Sequence, residues 1–290
     1  MSERYGNGWA YARPKIVPLP PREVTDDELA EIPASRLLRE PPRRDWMVDN
    51  LFVRGTVGML SGAGSIGKSL LCQQLATCAV LGLPWLGMTL KRGKALFMGC
   101  EDDGDEMHRR QRDINAAYGC SMEDVCEAGL ELIPRIDKDN VLMRLDKAEW
   151  RMRPTRLMVS LIRRCREHGI QYLFEDTASD TFDGNQNDER HVRDFVTENR
   201  KIAVMMGGIV IFTKHPSQVG LNDGSGESGS RQWNNKVRSR LYLHSEKDGS
   251  LVLEHVKSNY SAKGVKIPLK WKNGVFIVDT PEPPRRYGDL

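Results

Sequence analysis

The sequence predicts an α/β fold: a mainly parallel, twisted sheet flanked by helices and extended by C-terminal antiparallel strands. Three observations carry this. Four short apolar runs between residues 55 and 215 alternate with segments of helical spacing, the pattern of a parallel sheet covered on both faces. Beyond residue 237 the runs are joined by short turns such as KDG and KNG, which suit antiparallel strands continuing the same sheet. The first apolar run opens into GAGSIGKS, Gly62 to Ser69, which matches GxxxxGK[ST] with a strand before it and a helix after it.

The elements follow in order. Seven of the 15 prolines lie in the first 42 residues, in PKIVPLPPREV and LLREPPRR, so residues 1–43 are expected as an extended proline-rich arm. GTVGML (55–60) reads as the strand that feeds the glycine loop, and SLLCQQLATCAVLGL (69–83) as the helix after it, stopping at Pro84. KALFMG (94–99) is the second strand, ending in Cys100, Glu101 and Asp102 before the charged helix GDEMHRRQRDINAAYG. IQYLFED (170–176) follows the helix TRLMVSLIRRCREHG, and GIVIFTKH (208–215) follows ERHVRDFVTENRKIAVMM. VRSRLYLH (237–244), SLVLEHVKSN (250–259), VKIPLKW (265–271) and GVFIV (274–278) make up the antiparallel part. The folded domain is expected over 44–280, and 281–290 as a tail.

Composition narrows the class. The chain has 290 residues, 29% charged and 39% apolar, with 43 basic and 40 acidic side chains, as in a soluble globular protein that declares no polyanionic partner by net charge. The longest apolar stretch, Ile202 to Phe212, is too short to span a bilayer, and the N-terminal residues show no basic-then-apolar leader pattern. Six cysteines (72, 78, 100, 120, 126, 165) without CxxC pairing suit free thiols in a reducing cytoplasm rather than a metal site.

The glycine loop carries the chemistry. Its glycines let backbone N–H groups wrap phosphates, the helix N-terminus adds its positive end, Lys68 neutralises the terminal phosphates, and Ser69 reaches Mg²⁺. Gly62, Ala63, Gly64, Ser65, Ile66, Gly67, Lys68, Ser69 and the following Leu70 are therefore assigned to ATP. A carboxylate at the end of a parallel strand should serve the Mg²⁺, and Asp176 closes the YLFED run; strand alternation turns Glu175 to the other face. The residue after Asp176 is Thr177, which cannot act as a base. Glu101 is the alternative: if the 94–100 strand lies beside the phosphate-loop strand, Glu101 would face the γ-phosphate and could polarise the attacking water. Lys214 and His215 end the fourth strand, where a polar side chain can sense the γ-phosphate and pass its state to the loop that follows.

Together these residues resemble the RepA class of RecA-like P-loop ATPases, the ring-forming replicative helicases of plasmids with relatives on phages and integrated elements. The resemblance runs over about residues 46–272: the phosphate loop, ED followed by MHRR, LFEDTASDTF, TKHPS, SGSR…VRSRLYL, and KSNY. It implies a RecA-like ATPase domain with Glu101 as catalytic base, Asp176 as the Mg²⁺-linked carboxylate and His215 as γ-phosphate sensor. It also implies an arginine reaching the neighbouring subunit's ATP, Arg238 by position with Arg240 the near alternative, and places Arg110 near that interface. It implies a homo-oligomer, a hexameric ring, on single-stranded DNA, with a replication-initiator partner. The DNA-facing loops would be 179–190, which is acidic, and 216–236, which offers Arg231 and Lys236 to the backbone and Trp233 to a base. The sequence departs from the class in its proline-rich arm and in Lys214, where a second His is expected. Two other readings share the motifs: an ATP-dependent clamp or regulator without unwinding, and a kinase, for which no acceptor-binding lid is visible.

Overall fold

A computed structural model describes residues 34–222, 224–227 and 229–280. Contacts divide the chain into residues 1–43 and 44–290. Of the first part residues 34–43 are described, opening with a short 3₁₀ turn, Ala34–Leu38; most of the expected arm and the whole of the expected tail lie outside the described residues.

The second part begins with a small β1 (Trp46–Val48) and β2 (Phe52–Val53) ribbon, then β3 (Thr56–Gly62), the phosphate loop and α1 (Lys68–Leu81). There follow β4 (Lys94–Gly99), α2 (Gly104–Tyr118), α3 (Met122–Glu127) and β5 (Leu130–Pro134). A hairpin of β6 (Met143–Asp146) and β7 (Arg151–Pro154) precedes α4 (Arg156–His168), β8 (Ile170–Asp176), α5 (Ala178–Thr181), β9 (Phe182–Asp183) and α6 (Glu189–Met206). The chain closes with β10 (Ile209–Lys214), α7 (Gln218–Asn222), α8 (Arg231–Lys236), β11 (Ser239–Ser245), β12 (Leu251–Ser258), β13 (Val265–Lys272) and β14 (Val275–Val278).

Nine strands form one sheet in the order β14-β13-β12-β11-β3-β10-β8-β4-β5. From β11 to β5 every neighbouring pair is parallel, and β12, β13 and β14 then alternate. The four predicted core strands are present, but the parallel part is wider than expected. β5 joins its outer edge, and β11, expected as antiparallel, lies parallel to β3 and turns antiparallel only towards β12. The condition set for Glu101 is not met: β4 is not beside the phosphate-loop strand, because β10 and β8 stand between them.

Strand alternation divides the core into two layers. Phe97, Tyr172, Phe174, Ile209 and Ile211 pack with α1, while Leu96, Leu173, Val210 and Phe212 pack with α4, α6 and Trp233. α1 is buried nearly all round, as a helix must be when other elements cover its outer side. Gln73 donates there to the Met107 carbonyl and to Gln111 Oε1, and Gln111 donates to Thr77. Gln74 bonds both backbone groups of Phe276, which fastens the far end of the sheet to α1.

Candidate functional site

The phosphate loop is shaped by two glycines whose roles differ. Gly67 adopts φ +99°, and a Cβ there would stand 2.5 Å from the Phe276 ring, so both conformation and space require glycine. At Gly62 a Cβ would lie 2.8 Å from the Leu243 carbonyl oxygen of the adjacent strand. The loop crest is open instead: around Gly64 no atom lies within 4 Å of such a Cβ. Lys68 is 5% exposed, and its ammonium donates to the Ala63 carbonyl at 2.8 Å, a contact within the loop that a phosphate oxygen can replace. Burial lowers its pKa, opposed by the nearby carboxylates Asp176 and Glu101.

Asp176 and Thr213 end neighbouring strands on the α1 side, and the Thr213 hydroxyl donates to Asp176 Oδ1. Burial raises the Asp176 pKa, the Ser69 and Thr213 hydroxyls oppose that, and the Glu101 charge adds to it. A hydroxyl and a carboxylate, both hard oxygen donors beside an open phosphate loop, suit Mg²⁺, which takes few protein ligands and completes its shell with phosphate oxygens and water. Among the described residues no group of three or more His, Cys, Asp or Glu gathers as a metal site, and the described cysteines are free.

His215 follows the last residue of β10 and joins the two sides of the site. Its Nδ1 lies 3.4 Å from Lys68 Nζ, and its Nε2 lies 3.6 Å from Glu101 Oε1. His215 stands between the ammonium and the carboxylate, with one ring nitrogen towards each. Glu101 thus reaches the site although its strand is two places removed from the expected position, because all these strands end at the same edge of the sheet. The Glu101 side chain is half exposed and so open to water.

Glu175 points the other way. It is fully buried on the α6 side, neither oxygen has a hydrogen-bond partner of good geometry, and burial pushes its pKa up to about 8, a rise that neighbouring Asn199 opposes. Lys214 shares that side. It is 1% exposed, donates to Gln186 Oε1 at 2.8 Å, and stands 4.2 Å over the Trp233 ring. Burial lowers its pKa to about 8.

Two of the three arginines are tied within their own chain. Arg110 turns back on its own chain, donating to Asp102 at 2.8 Å. Arg240 is 4% exposed and donates to the Ser225 carbonyl, so the alternative arginine is committed inside its own subunit. Arg238 is half-buried, and its Nε has no partner. Leu243 of β11 pairs with Gly62, so Arg238 lies five residues upstream, roughly 17 Å along the strand, beyond the reach of an arginine to its own phosphate loop.

A family model described as an AAA domain matches residues 21–220. The chain belongs to the AAA-domain family. A solved KaiC-like protein from the hyperthermophilic archaeon Pyrococcus horikoshii OT3 shares its fold, with a TM-score of 0.56 at 14% identity, covering 83% of this chain and 100% of the other. Family and fold make the chain a RecA-like P-loop ATPase.

Within that AAA-domain frame one expected residue is corrected. Trp233, taken from the sequence as a base-stacking platform, is 1% exposed and sits among Phe182, Phe195 and Phe212, with its Nε1 donating to the Gln186 carbonyl. Its apolar surface is used up in the core, which the glycine-rich setting of the loop concealed. Arg231 and Lys236, on the same short helix, remain exposed. Three residues of the site and its surroundings lie in segments that the sequence marks but carry no expected role: Thr213 in TKHPS, Gln186 in 179–190 and Phe276 in GVFIV. A polar residue two before His215 in an otherwise apolar strand was a usable signal for Thr213; Gln186 and Phe276 act across the fold and left none. Among the described residues no helix is long and apolar enough to cross a membrane.

Proposed function

We propose that this ATPase assembles as a homo-oligomeric ring, a hexamer, and translocates on single-stranded DNA as a replicative helicase of the RepA type, serving a plasmid, phage or integrated element in the cytoplasm. The observation that carries it is the split of the site: Lys68, His215 and Glu101 meet through contacts of 3.4 and 3.6 Å at one edge of the sheet, while Arg238, just before β11, lies too far from the phosphate loop to serve the same phosphates. An arginine so placed is of use to a neighbouring subunit's nucleotide.

In the reaction, a water held by Glu101 attacks the γ-phosphorus in line. Glu101 takes its proton, the bond between the γ-phosphorus and the β,γ-bridging oxygen breaks, and ADP and phosphate leave. Lys68 and the loop N–H groups hold the phosphate oxygens, and Arg238 of the adjacent subunit meets the charge that develops on them. Ser69 and Asp176 would hold Mg²⁺, which when bound neutralises phosphate charge. His215 meets the γ-phosphate between Lys68 and Glu101 and reports its loss to residues 216–236. Residues 44–280 form the ATPase domain in this reading, 1–43 an arm and 281–290 a tail, and a replication initiator would load the ring.

The burial of Trp233 favours a second reading, an ATP-dependent clamp or regulator on DNA or protein, since it removes the aromatic platform from the DNA loop. A strand-displacement assay run beside ATPase assays with and without single-stranded DNA separates the two. Displacement with DNA-stimulated turnover supports the helicase; stimulation without displacement sinks it and leaves the regulator. Arg238→Ala subunits mixed with Lys68→Ala subunits should regain turnover, because each supplies what the other lacks. No recovery in intact assemblies would refute the trans arginine.

A further inference from the structure

Residues 229–237 are held at both ends by bonds that phosphate binding and hydrolysis do not require. At the first end Gln186 acts as a node: its backbone carbonyl accepts from Ser230 N–H at 2.9 Å and from Trp233 Nε1 at 3.1 Å, and its side-chain oxygen accepts from Lys214 Nζ at 2.8 Å. Gly229 lies so close that a Cβ would come within 2.6 Å of the same carbonyl. Lys214 also stands over the Trp233 ring, and it is the residue immediately before His215. Its ammonium is buried without a carboxylate partner among the described residues, so its charge rests on the Gln186 oxygen and the ring face.

At the second end Lys257 of β12 donates to the Asn234, Asn235 and Val237 carbonyls, which closes the carboxyl end of α8 with one ammonium. The next residue is Arg238. Its N–H donates to the Val57 carbonyl at 3.0 Å and its carbonyl accepts from Asn259 N–H at 3.0 Å, so its backbone is fixed between β3 and β12. Between the two ends Trp233 is packed edge-on against Phe182, Phe195 and Phe212, an arrangement that resists sliding.

The geometry points to residues 229–237 as a rigid strut between the end of β10 and Arg238, with Lys214, Gln186 and Lys257 as its positioning residues, so that the nucleotide state sensed at His215 sets the placement of the arginine offered to the next subunit. The inference rests on the trans-arginine reading above and adds to it the route by which one site would pace its neighbour. Trp233 is then the body of the strut and not a nucleic-acid contact.

The test uses the full-length protein with ATP and Mg²⁺. Lys257→Met should lower kcat about tenfold with the KM for ATP changed less than about twofold, because the subunit's own phosphate loop is untouched. Lys257→Arg keeps a donor at the three carbonyls and should retain most of the rate. Lys257→Met subunits mixed with Lys68→Ala subunits should recover turnover, since the latter offer a correctly held Arg238; a merely misfolded variant would not recover. Lys214→Met should bring the Hill coefficient for ATP from above one to about one. Wild-type rate and cooperativity in both variants, beside an inactive Arg238→Ala, would overturn the strut and leave the trans arginine standing. A fully active Arg238→Ala would remove the trans arginine and the strut together. Should Lys257→Met fail to fold, Trp233→Phe, which keeps the ring packing and loses the bond to Gln186, carries the same rate and cooperativity readouts.

Discussion

The parallel and antiparallel parts of the one sheet solve different problems. In the parallel part β4, β8, β10 and β3 are buried on both faces, and their carboxyl ends bring Glu101, Asp176, His215 and the phosphate loop to one edge. In the antiparallel part β13 is mostly exposed, and the ribbon it forms with β14 closes over α1, where Phe276 meets Gly67 and Gln74. Chemistry is concentrated where strands run the same way, because only then do strand ends, loops and helix N-termini collect on one side. The alternating strands have no such common edge. They brace the element that the chemistry stands on.

The sharpest way to break this division is to remove the proposed base. Glu101→Gln keeps the size and hydrogen-bonding of the side chain and loses the proton acceptor, so turnover should fall by roughly 10²- to 10⁴-fold with ATP binding retained. Single-turnover hydrolysis with a parallel nucleotide-binding titration measures both. Near-normal hydrolysis would move the base to another group and leave Glu101 and His215 as neighbours in contact at the sheet edge without a catalytic role.

That contact also shows how far the sequence could be read. Short apolar runs bounded by glycine and charge made β3, β4, β8 and β10 visible, nearly to the residue, since strands buried on both faces carry no alternation to confuse. The glycine loop was legible because its backbone chemistry is local. The order of strands was not: nothing local says that β10 and β8 separate β4 from β3, so the adjacency on which Glu101 was made to depend could only be posed as a condition. β5 and the β6–β7 hairpin were missed because their short runs are only partly buried or interrupted by arginines. Trp233 was misjudged for the converse reason. A tryptophan in a Gly/Ser-rich stretch looks exposed, and only the tertiary fold shows that Phe182, Phe195 and Phe212 leave room for it.

The bracing role of the antiparallel part has its own test. Phe276→Ala removes a ring that is 6% exposed and packed on the phosphate loop's Gly67, and should cost about 3 kcal/mol of unfolding free energy. Urea unfolding gives that number, and the KM for ATP should rise as the loop loses its backing. A loss under about 1 kcal/mol with unchanged KM would mean that the ribbon is draped on α1 without supporting it.

The smallest expected effect comes from the parallel part and depends on pH. Asp176 and Glu175 are neighbours in sequence and opposites in environment: the first meets hydroxyls, Lys68 and the open loop, the second meets the apolar side of α6 and Asn199. With a folded pKa of about 8 against a reference of 4.5, Glu175 binds its proton more tightly in the fold than in the unfolded chain. The sign follows from proton linkage. Between these two values the native state holds more protons, so stability is highest below the unfolded pKa and falls as pH rises towards the folded one. Glu175→Gln is neutral at every pH and removes that slope. From about pH 5 to about pH 7 the variant should gain on the wild type by roughly 2 to 3 kcal/mol, read from denaturant midpoints at each pH. A difference that stays flat over this range would mean that Glu175 is ionised in the fold. The buried side of the sheet would then tolerate charge as the catalytic edge does, and the contrast between the two carboxylates would rest on position alone.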